Sequence, residues 1–215
     1  MTLPHLRATT LPDIRPQPSP WSFTLTAGRL VEVTGGADSA AFTMACRLIL
    51  DAQHEGGQAA WVAPAESLCF FPDVLESGID LDALVVVRVP GAAACARVAD
   101  TLVRSGAFSL VVVDTGPDPR IPTPLLARLA SLAQRHHAAL IFLTQQHRVA
   151  SPDPATRSST DTSSSLGSLI SLRVRARRQR IAPDRFRCWL EVLKDKRRGP
   201  TWGYDEVCRG APGMR

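Results

Sequence analysis

The chain has 215 residues, 45% of them hydrophobic, with a mean hydropathy close to zero. This composition is ordinary for a folded domain and excludes a chain that is disordered throughout. No apolar run approaches the roughly 20 residues that a membrane-spanning helix needs, and residues 1–22 show no secretion signal. We therefore expect a cytoplasmic protein, associated with the nucleoid if it contacts DNA.

The net charge of +5 is concentrated near one end of the chain. Residues 171–215 hold 13 of the 25 Lys and Arg residues but 5 of the 20 Asp and Glu residues. Such an asymmetry is typical of a surface for nucleic acid or an acidic partner, and equally of a solvated strand face.

Residues 1–22 are rich in proline and polar residues without a sustained period, which predicts an extended arm outside the core. After this arm, apolar strand patterns alternate with amphipathic helix patterns. The predicted strands are 29–34, 58–64, 82–90, 108–116 and 139–146, and the predicted helices are 40–53, 92–106 and 123–138. Continuous apolar strands separated by helices indicate an α/β domain with a mostly parallel central sheet flanked by helices.

A stretch of Ser, Thr, Pro and Asp at residues 148–168 predicts a flexible loop. Residues 169–181 and 185–197 then alternate apolar and basic residues at period two, which predicts a C-terminal antiparallel extension of the sheet with one basic face. We place the core domain at 23–208 and a tail at 209–215. The candidate contacts to partner proteins or DNA are Arg173, Arg175, Arg177, Arg178, Lys194, Lys196, Arg197 and Arg198. The alternative is a solvated edge strand.

The segment "TGGADSAAFT" after the first strand has the outline of a phosphate-binding loop, GxxxxGK[ST]. Starting at Gly35, it has Ala40 at the second glycine, Ala41 at the lysine and Phe42 at the hydroxyl residue. The missing lysine and hydroxyl remove the groups that hold triphosphate and magnesium, and Asp38 adds repulsion. The glycines still permit a tight turn, and Asp38 or Ser39 is expected to cap the following helix.

Two further strands end in polar residues at the edge where parallel sheets bind ligands. In "LVVVDTG" the apolar residues end in Asp114, as in a magnesium-orienting strand, and in "IFLTQQ" the buried strand ends in Thr144 and Gln145, where some NTPases place a glutamine that senses phosphate. The degenerate nucleotide site predicted from these segments comprises Gly35, Gly36, Asp38, Ser39, Ala41, Phe42, Asp114 and Gln145. We expect no catalytic residue, no bound cofactor and no metal. Trp61, Trp189 and Trp202 are expected to pack in the core or sheet rather than to stack on bases.

The segments "GRLVEVTGG", "LILDAQHEGGQAAWV", "GIDLDALVVVRV", "VADTLVRSGAFSLVVVDT", "ALIFLTQQ" and "LEVLKDKRRGP" resemble successive blocks of the bacterial RecA core ATPase, over about residues 28–205. In that family the strand after the phosphate-loop helix ends in a catalytic glutamate. Here Ala65 stands at the matching position and Glu66 follows one residue late. The resemblance also implies that Lys194 and Lys196 match lysines near a nucleotide at the subunit interface, within reach of a partner's ATP or of DNA phosphate.

Small RecA-like chains with a degenerate nucleotide site resemble the ImuA family of bacterial mutagenesis cassettes and, more distantly, the SulA cell-division inhibitors. The ImuA resemblance implies a non-catalytic, SOS-induced accessory protein of translesion DNA synthesis. Its implied partners are an ImuB-like Y-family polymerase homologue, RecA and an error-prone C-family polymerase, with DNA as a further contact. The alternatives are a divergent ATPase using Asp114 and Gln145, and a SulA-like inhibitor.

Overall fold

The computed structural model describes residues 19–36, 38–67, 78–116, 119–145 and 166–210. Within these ranges the chain forms four helices and eight strands. The helices are α1 Phe23–Thr26, α2 Ala41–His54, α3 Ala92–Arg104 and α4 Thr123–His136. The strands are β1 Arg29–Gly35, β2 Ala59–Pro64, β3 Leu84–Val89, β4 Leu110–Asp114, β5 Ala139–Gln145, β6 Leu172–Ala182, β7 Arg185–Asp195 and β8 Gly203–Arg209.

All eight strands belong to one sheet, in the order β3-β2-β4-β5-β1-β6-β7-β8. The strands from β3 to β6 run parallel to one another, while β7 and β8 continue the sheet antiparallel. This topology confirms the predicted fold class, including the antiparallel C-terminal extension. Parallel strands need covered crossover connections, and α2, α3 and α4 supply them.

The core has two layers because the central strands are buried on both faces. On one face, Val31, Val33 and Trp61 pack beneath α2 together with its own Met44 and Leu48. On the other face, α3 and α4 cover a second cluster built from residues such as Leu140 and Phe142. None of the helices in the described ranges is long and apolar enough to cross a membrane.

Several details differ from the sequence analysis. Trp21, assigned to the arm, is buried and donates a hydrogen bond from Nε1 to the Met44 carbonyl at 3.0 Å, so the core begins before residue 23. The sequence patterns also missed the short helix α1 and the edge strand β8. Of the predicted loop at 148–168, residues 148–165 lie outside the described ranges, while Leu166 is buried in the second core cluster. Most of the arm and of the tail also lie outside them.

Candidate functional site

The carboxyl ends of the parallel strands bring three predicted site segments to one edge of the sheet. Gly35, the last residue of β1, lies directly beside Gln145, the last residue of β5. Asp114 ends β4 on the far side of β5, beside Leu143. The sequence-predicted site residues of the first 145 positions therefore share the edge at which parallel α/β sheets bind ligands.

Three backbone amides of the turn after β1 are engaged in hydrogen bonds within the protein. The Ser39 N–H donates to the Gly36 carbonyl at 3.2 Å, and the Ala40 N–H donates to the Ala176 carbonyl of β6 at 3.5 Å. The Ala41 N–H donates to Ser39 Oγ at 3.0 Å. A phosphate-binding loop works by aiming such N–H groups at the anion, so these three are not available to one in this arrangement.

Gly35 is required because the turn folds back onto it. A Cβ built on Gly35 would meet Ser39 Oγ and Ser39 Cβ, the latter at 2.5 Å. The side chain of Ser39 therefore occupies the space beside the end of β1. The N-cap residue of α2 is Ala40, which makes no side-chain capping hydrogen bond, so the predicted cap at Asp38 or Ser39 is wrong. Asp38 accepts a hydrogen bond at its backbone carbonyl from the Arg178 N–H at 2.8 Å.

Phe42 stands where a phosphate loop carries its magnesium-binding hydroxyl. Its ring packs on the buried Trp61 of β2, with ring centroids 5.0 Å apart and a tilt of 54°. This is a favourable geometry for an aromatic pair. The first turn of α2 is thus anchored to the sheet by apolar packing, and Phe42 contributes no oxygen ligand.

Asp114 has its carboxylate held by neighbouring protein groups. Ser67 Oγ donates to Asp114 Oδ2 at 2.9 Å, and the Gly116 N–H donates to Oδ1 at 3.1 Å. The carboxylate therefore fastens the loop after β2 and the turn after β4 to the edge of the sheet. Glu66, next to the family's catalytic position, is exposed in a turn. In the described residues no group of three or more His, Cys, Asp or Glu side chains is arranged to hold a metal ion.

Two of the eight predicted basic contacts lie inside the protein. Arg173 is buried and its Nε lies 3.3 Å from Glu32 Oε2, where Glu32 comes from the centre of β1. Arg175 is also buried and donates to Glu191 Oε2 at 3.1 Å. The prediction that Arg173 and Arg175 contact a partner is therefore wrong. The period-two pattern placed both on one face of β6, but on that face carboxylates from the neighbouring strands, Glu32 of β1 and Glu191 of β7, pair with them.

The remaining six basic residues are reachable from solvent at two separate places. Arg177 and Arg178 lie in the second half of β6, where Arg177 is half-buried and Arg178 exposed. Lys194, half-buried, and the exposed Lys196 lie at the opposite end and both donate to the Ser168 carbonyl, at 3.2 and 2.8 Å. Arg197 and Arg198 follow Lys196 and are exposed.

The lysine pair is not near the turn after β1. Lys194 is paired with Arg173 on β6, whereas the turn is bonded to Ala176 and Arg178. Five residues of strand separate Arg173 from Arg178, which corresponds to about 17 Å. Burial lowers the pKa of Lys194, and the neighbouring positive charge of Lys196 lowers it further. The two ammonium groups therefore lie close together and share one neutral acceptor, the Ser168 carbonyl.

The sequence analysis missed a buried ionic network beneath the antiparallel strands. Arg29, at the start of β1, bonds to Asp195 of β7 at 2.5 Å, and both side chains are almost fully buried. Asp195 also accepts from Trp202 Nε1 at 2.9 Å and from the Arg197 N–H at 2.9 Å. Burial acts to raise the pKa of Asp195, but these hydrogen bonds outweigh it and hold that pKa below its ordinary value. The sequence signal for this network was a pair of charged residues, Arg29 and Glu32, in a strand that is otherwise mostly apolar.

A sheet of this order with helices on both faces, and a turn with the outline of a phosphate loop after its first strand, is consistent with a RecA-like fold. The comparison with protein families agrees: residues 23–145 match the model of the RecA N-terminal domain. The chain therefore belongs to the RecA N-terminal domain family.

Individual relatives give the same result over part of their length. The chain is 31% identical to Protein RecA of Gluconacetobacter polyoxogenes over 140 residues, which is 56% of this chain and 40% of that protein. It is 30% identical to Protein RecA of Rhodospirillum rubrum over 141 residues, 56% of this chain and 38% of the relative. A shorter match of 92 residues to Protein RecA of Cutibacterium acnes has 39% identity and covers 42% of this chain and 26% of the relative. The match spans less than half of each of these relatives.

Proposed function

We propose that this RecA-like protein acts without hydrolysing ATP, as an accessory protein of SOS-induced translesion DNA synthesis in the cytoplasm. In this role it binds protein partners: an ImuB-like Y-family polymerase homologue, RecA, and through them an error-prone C-family polymerase. DNA is a further contact. The observation that carries the proposal is that the turn after β1 lacks the groups that bind triphosphate. A RecA-like domain with such a turn can still bind partners through its surface, but it cannot hydrolyse ATP at that turn.

Three features of that turn support a non-catalytic role. The N–H groups of Ser39, Ala40 and Ala41 bond within the protein. The lysine position holds Ala41, so no cation compensates the triphosphate charge. Phe42 packs on Trp61 at the position of the magnesium-binding hydroxyl. Together these features disfavour the binding and hydrolysis of a nucleoside triphosphate.

The paired lysines support a role in binding a partner. Their ammonium groups share the Ser168 carbonyl as acceptor, and like charges held this close are stabilised when an anionic group approaches. In the proposed function that group is a phosphate of a partner's bound nucleotide or of DNA. Arg197 and Arg198 adjoin the pair and extend the positive surface.

Because Lys194 and Lys196 are the two lysines of the chain, amine chemistry tests this surface selectively. The full chain is mixed with purified RecA or with the ImuB-like protein and treated with an amine-specific cross-linker. We expect Lys194 and Lys196 to dominate the cross-linked peptides, with the N-terminal amine as the internal reference. In a separate pull-down without cross-linker, capture of each partner should weaken in a Lys194→Ala/Lys196→Ala variant and not in a control with exposed helix arginines changed, Arg97→Ala/Arg135→Ala. Unchanged capture by the lysine variant would contradict the role of this surface, and no capture of either partner by the wild type would contradict the proposed function.

A further inference from the structure

Two cysteines lie side by side on the antiparallel extension of the sheet. Cys188 of β7 is paired directly with Glu206 of β8, and Cys208 of β8 is paired directly with Phe186 of β7. The two cysteines are therefore diagonal neighbours on adjacent strands. Both pack with the core cluster beneath α2, so they share one face of the sheet. Neither is in a disulfide, and we call the pair the β7–β8 dithiol.

The two thiols of this pair are in contact and differ in exposure. They form a hydrogen bond with each other. Cys188 is buried, whereas Cys208 is half-buried on the strand at the edge of the sheet. The buried Cys46 and Cys95 come from α2 and α3 and pack in different core clusters. The β7–β8 dithiol thus brings two sulfur atoms together where one of them is reachable from solvent.

The neighbouring groups give the two thiols different acidities. The pKa of Cys188 is lowered by the hydrogen bond with Cys208 and by the positive charge of Arg178, its direct neighbour on β6, against the opposing effect of burial. The pKa of Cys208 is raised by the same hydrogen bond, by burial and by the carboxylate of Glu206. Cys208 therefore donates its S–H, and Cys188 has the larger share of thiolate, the form that reacts with oxidants.

The strands allow the two sulfurs to be joined. Diagonal neighbours on antiparallel strands have Cβ atoms somewhat less than about 7 Å apart, whereas a disulfide holds them at about 4 Å. The hydrogen bond already directs the two side chains toward each other. Since β8 pairs with β7 alone at the end of the strand order, its approach to β7 breaks no pairing with another strand.

We propose that the β7–β8 dithiol is a site of reversible oxidation, at which a hydroperoxide such as hydrogen peroxide converts the two thiols into an intramolecular disulfide. One sulfur attacks a peroxide oxygen, so that an S–O bond forms, the O–O bond breaks and water leaves with the thiol proton. The second sulfur attacks the sulfenic sulfur, so that the S–S bond forms, the S–O bond breaks and a second water leaves. Two electrons pass from the thiols to the peroxide.

The disulfide closes a ring of residues 188–208, which includes the paired lysines Lys194 and Lys196. An edge strand held by one neighbour opens locally more easily than a central strand. A covalent link between β7 and β8 therefore restricts the motion of β8. The inference goes beyond the proposed function, because it concerns a covalent change within the chain and needs no partner.

The test follows disulfide formation in the full chain by mass spectrometry. The reduced protein is treated with graded hydrogen peroxide, and the remaining thiols are blocked with N-ethylmaleimide under denaturing conditions. Trypsin releases Cys188 in residues 188–194 and Cys208 in residues 199–209. We expect these two peptides to be joined after oxidation and to be released by dithiothreitol. The link should be lost in Cys188→Ser and in Cys208→Ser and retained in the matched control Cys46→Ser.

Two further measurements test the neighbouring groups and the effect on β8. In Arg178→Gln the linked peptides should form more slowly than in the wild type at equal peroxide, because the charge that favours the Cys188 thiolate is gone. Amide hydrogen exchange in β8 should slow when the wild type is oxidised and should not slow in Cys208→Ser. An unchanged rate in Arg178→Gln would contradict the role of that charge, and unchanged exchange in the oxidised wild type would contradict the restriction of β8.

Either of two results with the wild type would overturn the inference. The first is that peroxide produces sulfinic or sulfonic acid at these cysteines without any linked peptide. The second is that Cys188 or Cys208 becomes linked mainly to a different cysteine or to a second molecule, which a non-reducing gel shows as a dimer. Because both results come from the wild type, a serine variant that fails to fold by circular dichroism leaves the test decisive.

Discussion

Both halves of β6 are rich in arginine, yet they behave as different regions. In the first half, Arg173 and Arg175 are buried and paired with Glu32 and Glu191. In the second half, Arg177 faces solvent without a carboxylate partner among the described residues. The difference is made by the neighbouring strand, since β1 pairs with β6 only from Leu172 to Arg175. A period-two pattern therefore predicts which residues share one face of a strand. Whether those residues are buried depends on the neighbouring strand, which the pattern does not show.

From this comparison we expect the largest loss of stability when a buried charge beside β1 is removed. Asp195→Ala would leave the Arg29 guanidinium buried without its partner and remove the acceptor of Trp202 Nε1 and the Arg197 N–H. Breaking one member of such a buried pair costs about 5 kcal/mol at the upper end. We expect the free energy of unfolding, measured by urea denaturation, to fall by that amount. A loss below about 1 kcal/mol would show that the network is not structurally important.

Glu32→Ala should have the next largest effect and lower the free energy of unfolding by about 3–4 kcal/mol, because it leaves the buried Arg173 without its carboxylate partner. Thr144 Oγ1 also loses its acceptor, Glu32 Oε1, at 3.1 Å. Replacing both charges by leucine, in Glu32→Leu/Arg173→Leu, should cost less than Glu32→Leu or Arg173→Leu alone, because no unpaired charge remains. Additive losses in this double-mutant cycle would mean that the two residues do not interact.

The junction between the two halves is the turn after β1, which is bonded to Ala176 and Arg178. Gly35→Ala should destabilise the protein by about 1–3 kcal/mol, as overpacking does, because the new Cβ collides with Ser39. Ser39→Gly removes the colliding side chain, so the double variant should be more stable than Gly35→Ala alone. Thermal melts of the two variants give the comparison, and a double variant no more stable than the single one would show that Ser39 does not close the turn.

Low pH should reduce the stability of the protein through the buried ionic network around Asp195. The folded-state pKa of Asp195 lies below its ordinary value, so its contribution is fully present above about pH 4. That stability is lost as the pH falls through the folded-state pKa, because the unfolded chain then takes up the proton more readily. Unfolding free energy measured against pH should therefore decrease more steeply below about pH 4 in the wild type than in Asp195→Asn. Parallel curves would assign the acid sensitivity to other groups.

The smallest change in stability is expected for an ion pair at the protein surface. Arg187 and Asp205 form an ion pair in which both side chains are about half exposed. Such pairs contribute about 0.2–1 kcal/mol and are weakened by salt. Arg187→Ala should therefore change the unfolding free energy by no more than this, and less in 1 M salt than in dilute buffer. A loss of several kcal/mol would place this pair with the buried network.

The sequence was sufficient for the fold because hydrophobic period and chain order specify it. Val111 and Val113 lie in a continuous apolar run, which predicts a buried parallel strand, and the alternation at 169–181 and 185–197 predicted the antiparallel extension. The substitutions at Ala41 and Phe42 were also visible directly. The buried network was not predicted, because Arg29 and Asp195 are 166 positions apart and their contact depends on the order of the strands. β8 was missed because its alternate residues are only half-buried against a single neighbour.

We propose that the turn after β1 no longer serves nucleotide chemistry. The most direct measurement is ATP hydrolysis by the purified full chain with magnesium, with and without single-stranded DNA. The account predicts no hydrolysis above the background of a buffer control, and no change on Asp114→Asn, since that carboxylate binds Ser67 and the Gly116 N–H. Hydrolysis above background that is abolished by Asp114→Asn would contradict the account and identify the protein as a divergent ATPase.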